Sequence, residues 1–151
     1  MTEKSRLAIR DATLFDGGVL AGLLGELGYP KAKAFVDEKL KQFTRNKNDR
    51  VFVAVYGGKV VGFASCHIMQ LMHEECNLCR VTALVVAQAY RRRSIGRRLM
   101  AMVENYAQKS GCGRIEITSG QRRHDAHVFY DHMGYTEASR RFLKVLKPNE
   151  A

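Results

Sequence analysis

A mixed α/β (α+β) fold is predicted by three features of the 151-residue sequence. These are short β-branched and aromatic runs, longer stretches with apolar residues at helical spacing, and their succession as β-α-α-β-β-β-α-β-α-β, with room for one more strand at the end. Residues 7–10 alternate weakly and read as the first strand, after which Leu20, Leu23, Leu24 and Leu27 share one helical face. Pro30 opens a second amphipathic stretch in which Val36, Leu40 and Phe43 align while Lys33, Asp37, Lys41 and Arg45 point elsewhere, with an end expected near Asn46. Residues 51–56 and 59–69 read as strands joined across Gly57-Gly58, a hairpin signature, and residues 78–86 as a further strand rich in Val and Leu. Ile95, Leu99, Met102, Val103 and Tyr106 mark a helix that stops before Gly111. Residues 114–118 alternate as a strand, residues 125–133 read as a helix capped by Gly134, and residues 135–146 return to extended structure. No repeat, low-complexity tract or linker interrupts this order, so a single domain over residues 1–151 is expected.

Composition narrows the class. With 46% hydrophobic and 26% charged residues the chain is unlike disordered sequences. No run approaches the roughly 18 apolar residues of a membrane span, and the first residues lack a leader pattern, so a cytoplasmic protein without a membrane partner is expected. The 25 Lys and Arg residues against 15 Asp and Glu predict a positive field that attracts anions, whether nucleic acid, an anionic membrane surface, a phosphate-bearing cofactor or an acidic substrate. Cys66, Cys76, Cys79 and Cys112 are expected to be reduced thiols; Cys76 and Cys79 are three apart on a strand and would face opposite sides, which argues against a shared metal, and no metal is expected.

The segment from Leu84 to Leu99 is the most informative, because there a strand runs through a basic loop into a helix. The first turn of a helix carries unpaired N–H groups and the positive dipole end, and small residues at Ser94 and Gly96 let an anion approach them. Arg91, Arg92, Arg93, Arg97 and Arg98 crowd this helix start, where they oppose the dipole and repel one another unless an anion sits among them. A solvated arginine run is the plainer alternative.

Arg91-Arg92-Arg93-Ser94-Ile95-Gly96, behind the Leu84-Val85-Val86 strand, resembles the Arg/Gln-x-x-Gly-x-Gly/Ala pyrophosphate turn of the GNAT superfamily of N-acetyltransferases. Ser94 stands where the family has its first glycine, which requires a backbone there that avoids positive φ. A second stretch, Arg123-His124-Asp125-Ala126-His127-Val128-Phe129-Tyr130 followed by Gly134-Tyr135, is similar to the family's second acetyl-CoA motif, and in particular to that of aminoalkylphosphonate N-acetyltransferases and some aminoglycoside 6'-N-acetyltransferases. The resemblance covers almost the whole chain. It implies a mostly antiparallel central sheet of six to seven strands with about four helices, and direct transfer of acetyl from acetyl-CoA to the amine of a small molecule in a ternary complex.

The resemblance also implies roles. Leu84, Val85 and Val86 would lie along the pantetheine arm of acetyl-CoA, Arg91, Arg92, Arg93, Ser94, Ile95, Gly96 and Arg97 would hold its diphosphate, and Tyr130 would touch the cofactor and protonate the departing thiolate. The plainer reading of Tyr130 is a half-buried ring packed beside Phe129. Relatives often place a glutamate base on the strand before the Leu-Val-Val segment, but this chain has Arg80, Val81, Thr82 and Ala83 there. Glu75 and His124 are candidate bases instead, with His73, Glu74, Asp125 and His127 behind them; Asp125 also reads as a helix cap. Arg122, Arg123, Arg140 and Arg141 favour an anionic substrate. Relatives commonly form homodimers, which sets that expectation here with no interface legible. Acetylation of a protein amine, a degenerate acetyl-CoA sensor and a basic nucleic-acid-binding module are the competing functions, the last lacking any recognised nucleic-acid motif.

Overall fold

The computed structural model describes residues 6–118, 124–138 and 141–147, with the backbone alone at positions 124 and 125. The chain divides into two units, residues 1–118 and 119–151. The first holds β1 (Leu7–Asp11), α1 (Gly17–Leu27), α2 (Lys33–Thr44), β2 (Asp49–Tyr56), β3 (Lys59–Met69), β4 (Asn77–Val86), α3 (Ile95–Lys109) and β5 (Cys112–Ile117), and the second holds α4 (His124–His132). The strands form one sheet in sequence order, antiparallel from β1 to β4, with β5 parallel to β4.

The local chemistry accounts for the elements. A 3₁₀ turn at Leu14–Asp16 precedes α1, closed by a reciprocal pair in which the Asp16 carboxylate accepts from Thr13 N–H at 2.7 Å and Thr13 Oγ1 accepts from Phe15 N–H at 3.3 Å. Gly28, at φ 102°, ends α1, its N–H and that of Tyr29 reaching back to the last turn. The β2–β3 hairpin turns through Gly57 and Gly58, both at positive φ, as a two-residue hairpin requires. Helix α2 starts at Lys33, three residues beyond Pro30, and stops at Thr44.

Leu20, Leu23, Val36 and Leu40 of α1 and α2 pack on Val53, Phe63 and Val85 of the sheet. On the next residue of β3 the direction reverses: a side chain at Gly62 would meet Leu99 of α3 and come within 2.8 Å of the Val85 carbonyl. Helix α3 therefore covers the opposite face, burying Ile95, Leu99, Met100 and Val103. Asn77 ties the start of β4 to the end of α3, its N–H donating to Gly111 O and its side-chain amide to Ser110 O, each at 2.9 Å.

The predicted sheet of six to seven strands is corrected to five among the described residues. No strand is found in the described parts of residues 135–146, where Phe142, Leu143, Val145 and Leu146 are 96%, 78%, 68% and 90% exposed. Their apolar pattern is what suggested a strand, but a strand is defined by a neighbour that pairs with its backbone, and alternation alone does not supply one.

Buried Asp16 carries a bidentate Arg10 guanidinium at 2.9 and 3.0 Å. Those bonds hold its carboxyl below the usual carboxylate range, against the opposing effect of burial and helped by Thr13 N–H. A depressed carboxylate stabilises the fold fully above its unfolded value, about 4, and loses that contribution as pH falls through the folded value. Asp16→Asn should cost about 1–2 kcal/mol near neutral pH, a figure discounted for the solvent-exposed Arg10. Denaturation curves at several pH values should show the gap from wild type shrinking below about pH 4.

Candidate active site

Among the described residues, strand β4 is paired on one side along most of its length but on the other only over its first half. Its ladder with β5 runs from Asn77 to Val81, which faces Ile117, the last residue of β5. Against β3 the register steps from Cys66↔Val81 to Ser65↔Ala83, so Thr82 is an extra residue, a bulge. A bulge bends its strand and increases local twist, and this one falls where β4 and β5 part. Beyond it the Ala87 N–H donates to Val61 O of β3 at 2.8 Å. Because backbone groups alternate in direction, Leu84 and Val86 turn theirs toward the open side, where the Val86 carbonyl accepts a long 3.3 Å bond from Arg91 Nε. Val85 instead buries its side chain in the α1–α2 core.

The open edge leads into the basic turn. Gln88–Tyr90 forms a 3₁₀ turn whose first N–H is held at 3.0 Å by Glu26 of α1. Arg92 and Ser94 then take φ of 65° and 63° before Ile95 starts α3. The expectation that Ser94 avoids positive φ is thus corrected. Left-handed residues beside ordinary ones curl successive N–H groups inward into a concavity for an anion, so the geometry serves the loop at a cost to its serine. Helix geometry leaves the first-turn N–H groups of Ile95, Gly96 and Arg97 without intrahelical acceptors, and Ser94 makes no side-chain cap. Arg93 lies over the rings of Tyr56 and Tyr90, 5.5 Å from each centroid, which holds one positive charge beside the turn.

The remaining predicted residues are spread out. Tyr130 lies on α4, half-buried, edge-on to Phe129 at 5.3 Å and to Tyr135 at 6.0 Å. Gly134, at φ 89°, ends that helix as expected. His124 and Asp125 begin α4, but their side chains, like Arg122, Arg123 and Arg140, lie outside the described residues; His127 is half-buried and Arg141 exposed. Glu75 is exposed in the β3–β4 loop. It lies seven positions before the bulge, and the strand between them spans roughly 16 Å, so the structure does not bring it to the open edge. Glu74 beside it is taken up by Arg114 at 2.8 Å, which holds its carboxyl below the usual range. Cys76 is exposed, whereas Cys79 is buried against Cys66, whose thiol that contact and burial push up. Among the described residues no group of three or more metal-ligating side chains converges.

At the bulge the structure assembles a trio that the sequence did not reveal. His67 of β3 places Nε2 2.9 Å from Thr82 Oγ1 and Nδ1 2.8 Å from Asp49 Oδ1 of β2. Phe43 of α2 meets the imidazole edge-on, with centroids 5.4 Å apart. Arg80, directly opposite His67, donates to Glu116 of β5 at 2.9 Å.

An open strand edge running into a basic helix start suits an extended ligand that ends in phosphates, and the comparisons agree. The acetyltransferase (GNAT) family model matches residues 19–135. The chain belongs to that family. It is 34% identical over 94 residues to the aminoalkylphosphonate N-acetyltransferase of Salmonella typhimurium, covering 62% of this chain and 61% of that one. The curated relatives it matches are spanned for about half to three-fifths of their length. A solved structure described as a transcriptional regulator from Bacillus halodurans superimposes with TM-score 0.82 at 25% identity, over 92% of this chain and 98% of the other. An aminoglycoside N-acetyltransferase in complex with CoA shares the fold at TM-score 0.83 and 16% identity, over 94% and 95% of the two chains.

GNAT acetyltransferases use acetyl-CoA, and the donor set here fits that molecule: strand amides and carbonyls for the pantetheine arm, then main-chain N–H groups and arginines for the diphosphate. Among the described residues no helix is long and apolar enough to cross a membrane. The strained serine gives a direct test of the turn. Ser94→Gly should raise unfolding free energy by about 0.5–1 kcal/mol, because glycine removes the left-handed penalty but adds unfolded-state entropy. Ser94→Val should lower it and weaken CoA binding in calorimetry.

Proposed function

We propose that this chain is an acetyl-CoA-dependent N-acetyltransferase for the primary amine of a small molecule, working by direct transfer in a ternary complex. The observation that carries the reading is the open edge of β4 from Thr82 to Val86, which runs into the N–H-lined turn at Arg92 and Ser94. Leu84 and Val86 align the pantetheine arm through their outward backbone groups, and the Arg91-to-Arg97 segment holds the diphosphate. Acetyl-CoA supplies the activated acetyl thioester. Tyr130 donates its phenolic proton to the departing thiolate, a task suited to a group that stays protonated at neutral pH.

The family match crosses the boundary between the two units, which supports one catalytic domain over residues 1–151. The aminoalkylphosphonate relative and the excess of basic residues both favour an anionic amine such as an aminophosphonate. A cytoplasmic homodimer without nucleic-acid or membrane partners completes the proposal.

Calorimetry with CoA, followed by thiol release from acetyl-CoA with aminophosphonates, polyamines, aminoglycosides and amino acids, tests it. CoA should bind, and at least one acceptor, an aminophosphonate first, should be turned over. Tyr130→Phe should lower kcat by about 100-fold with little change in CoA affinity. Binding of CoA without turnover of any acceptor would favour a sensor, and absence of CoA binding would end the assignment.

A further inference from the structure

We propose that Thr82, His67 and Asp49 form the proton relay that deprotonates the incoming amine. This rests on the acetyltransferase reading above. An amine arrives as an ammonium ion with no lone pair for attack, so a proton must leave before the nitrogen–carbon bond can form.

The geometry specifies the relay. A carboxylate only accepts hydrogen bonds, so the 2.8 Å contact with Asp49 puts the imidazole proton on Nδ1. In the neutral imidazole Nε2 then carries the lone pair, and in that state the contact at 2.9 Å is Thr82 Oγ1–H donating to it. Thr82 is exposed, while His67 and Asp49 side chains are 23% and 22% exposed. The hydroxyl thus faces outward at the point where β4 leaves β5, with the imidazole behind it and the carboxylate behind that. A trio serving only to satisfy buried polar groups would have no reason to end in an exposed hydroxyl at the bulge.

The charges around His67 suit the task. Asp49 faces it from β2 and stabilises the imidazolium. Arg80 faces it from β4 and would oppose that charge, but it is paired with Glu116 of β5. Helix α2 contributes the uncharged ring of Phe43.

The protons balance. An ammonium proton passes to Thr82 Oγ1 as the threonine's own proton moves to His67 Nε2, leaving a neutral amine and an imidazolium. The amine nitrogen bonds to the thioester carbonyl carbon and the carbon–sulfur bond breaks. The second nitrogen-bound proton ends on the thiolate through the acid, and the imidazolium returns its proton to solvent.

The test uses the full chain, acetyl-CoA and 2-aminoethylphosphonate as the acceptor, with CoA affinity measured separately by calorimetry. His67→Gln should lower kcat/KM for the amine by about 100-fold near neutral pH and move the acid limb of its pH profile by at least about one pH unit. Thr82→Val should lose about tenfold or more, Thr82→Ser should recover most of that, and Asp49→Asn should fall between. CoA affinity should stay within about twofold in all four variants. Nitrogen-15 NMR of the imidazole, which needs no acceptor, should show the Nδ1–H tautomer in wild type and its loss in Asp49→Asn.

An Nε2–H tautomer in wild type would overturn the relay. So would His67→Gln with bound CoA, wild-type turnover and an unmoved acid limb. Wild-type protein that fails to bind CoA would instead overturn the acetyltransferase reading on which the relay depends, and these results are distinguishable.

Discussion

The parting of β4 from β5 is the feature on which the functional architecture turns. Backbone N–H and C=O groups inside a sheet need partners, and an unpaired stretch of strand is ordinarily a liability. Among the described residues the pairing with β5 stops after Val81, where Thr82 is inserted as a bulge and β5 ends at Ile117. The strand stays anchored on its other edge by β3. Its exposed groups lead to the positive end of α3, an order of donors that matches a linear ligand with its phosphates at one end.

The turn at the end of that edge collects unfavourable features. Arg92 and Ser94 hold left-handed backbone, and arginines crowd a helix start whose dipole disfavours them. Each is a cost to the isolated fold, and in the proposed site a diphosphate would offset it, since curled N–H groups and guanidinium ions would then share one anionic partner. The stacking of Arg93 on Tyr56 and Tyr90, and the hold of Glu26 on Gln88 N–H, attach this loop to the hairpin and to α1.

Much of this was legible from local pattern. The helices at Gly17–Leu27 and Ile95–Lys109, the Gly57-Gly58 hairpin and the basic turn at Arg91-to-Gly96 that leads into the second of those helices all depend on residues close together in sequence. Other readings failed for physical reasons. Serine at position 94 looked like a sign of ordinary backbone, yet the surrounding structure imposes the left-handed conformation. Glu75 looked near the strand that carries the chemistry, but strand extension carries it away from the opening.

By itself the sequence determined the mixed α/β class, the order of elements as far as α4 and the family, because spacing within helices, alternation within strands and turn residues are properties of neighbouring positions. Only the tertiary structure decided that Asp49, His67 and Thr82 meet. They come from three strands, 18 positions apart for the first pair and 15 for the second, and no short motif links them. Their contact depends on strand register and on one inserted residue at the bulge, and register is set by how whole strands pair.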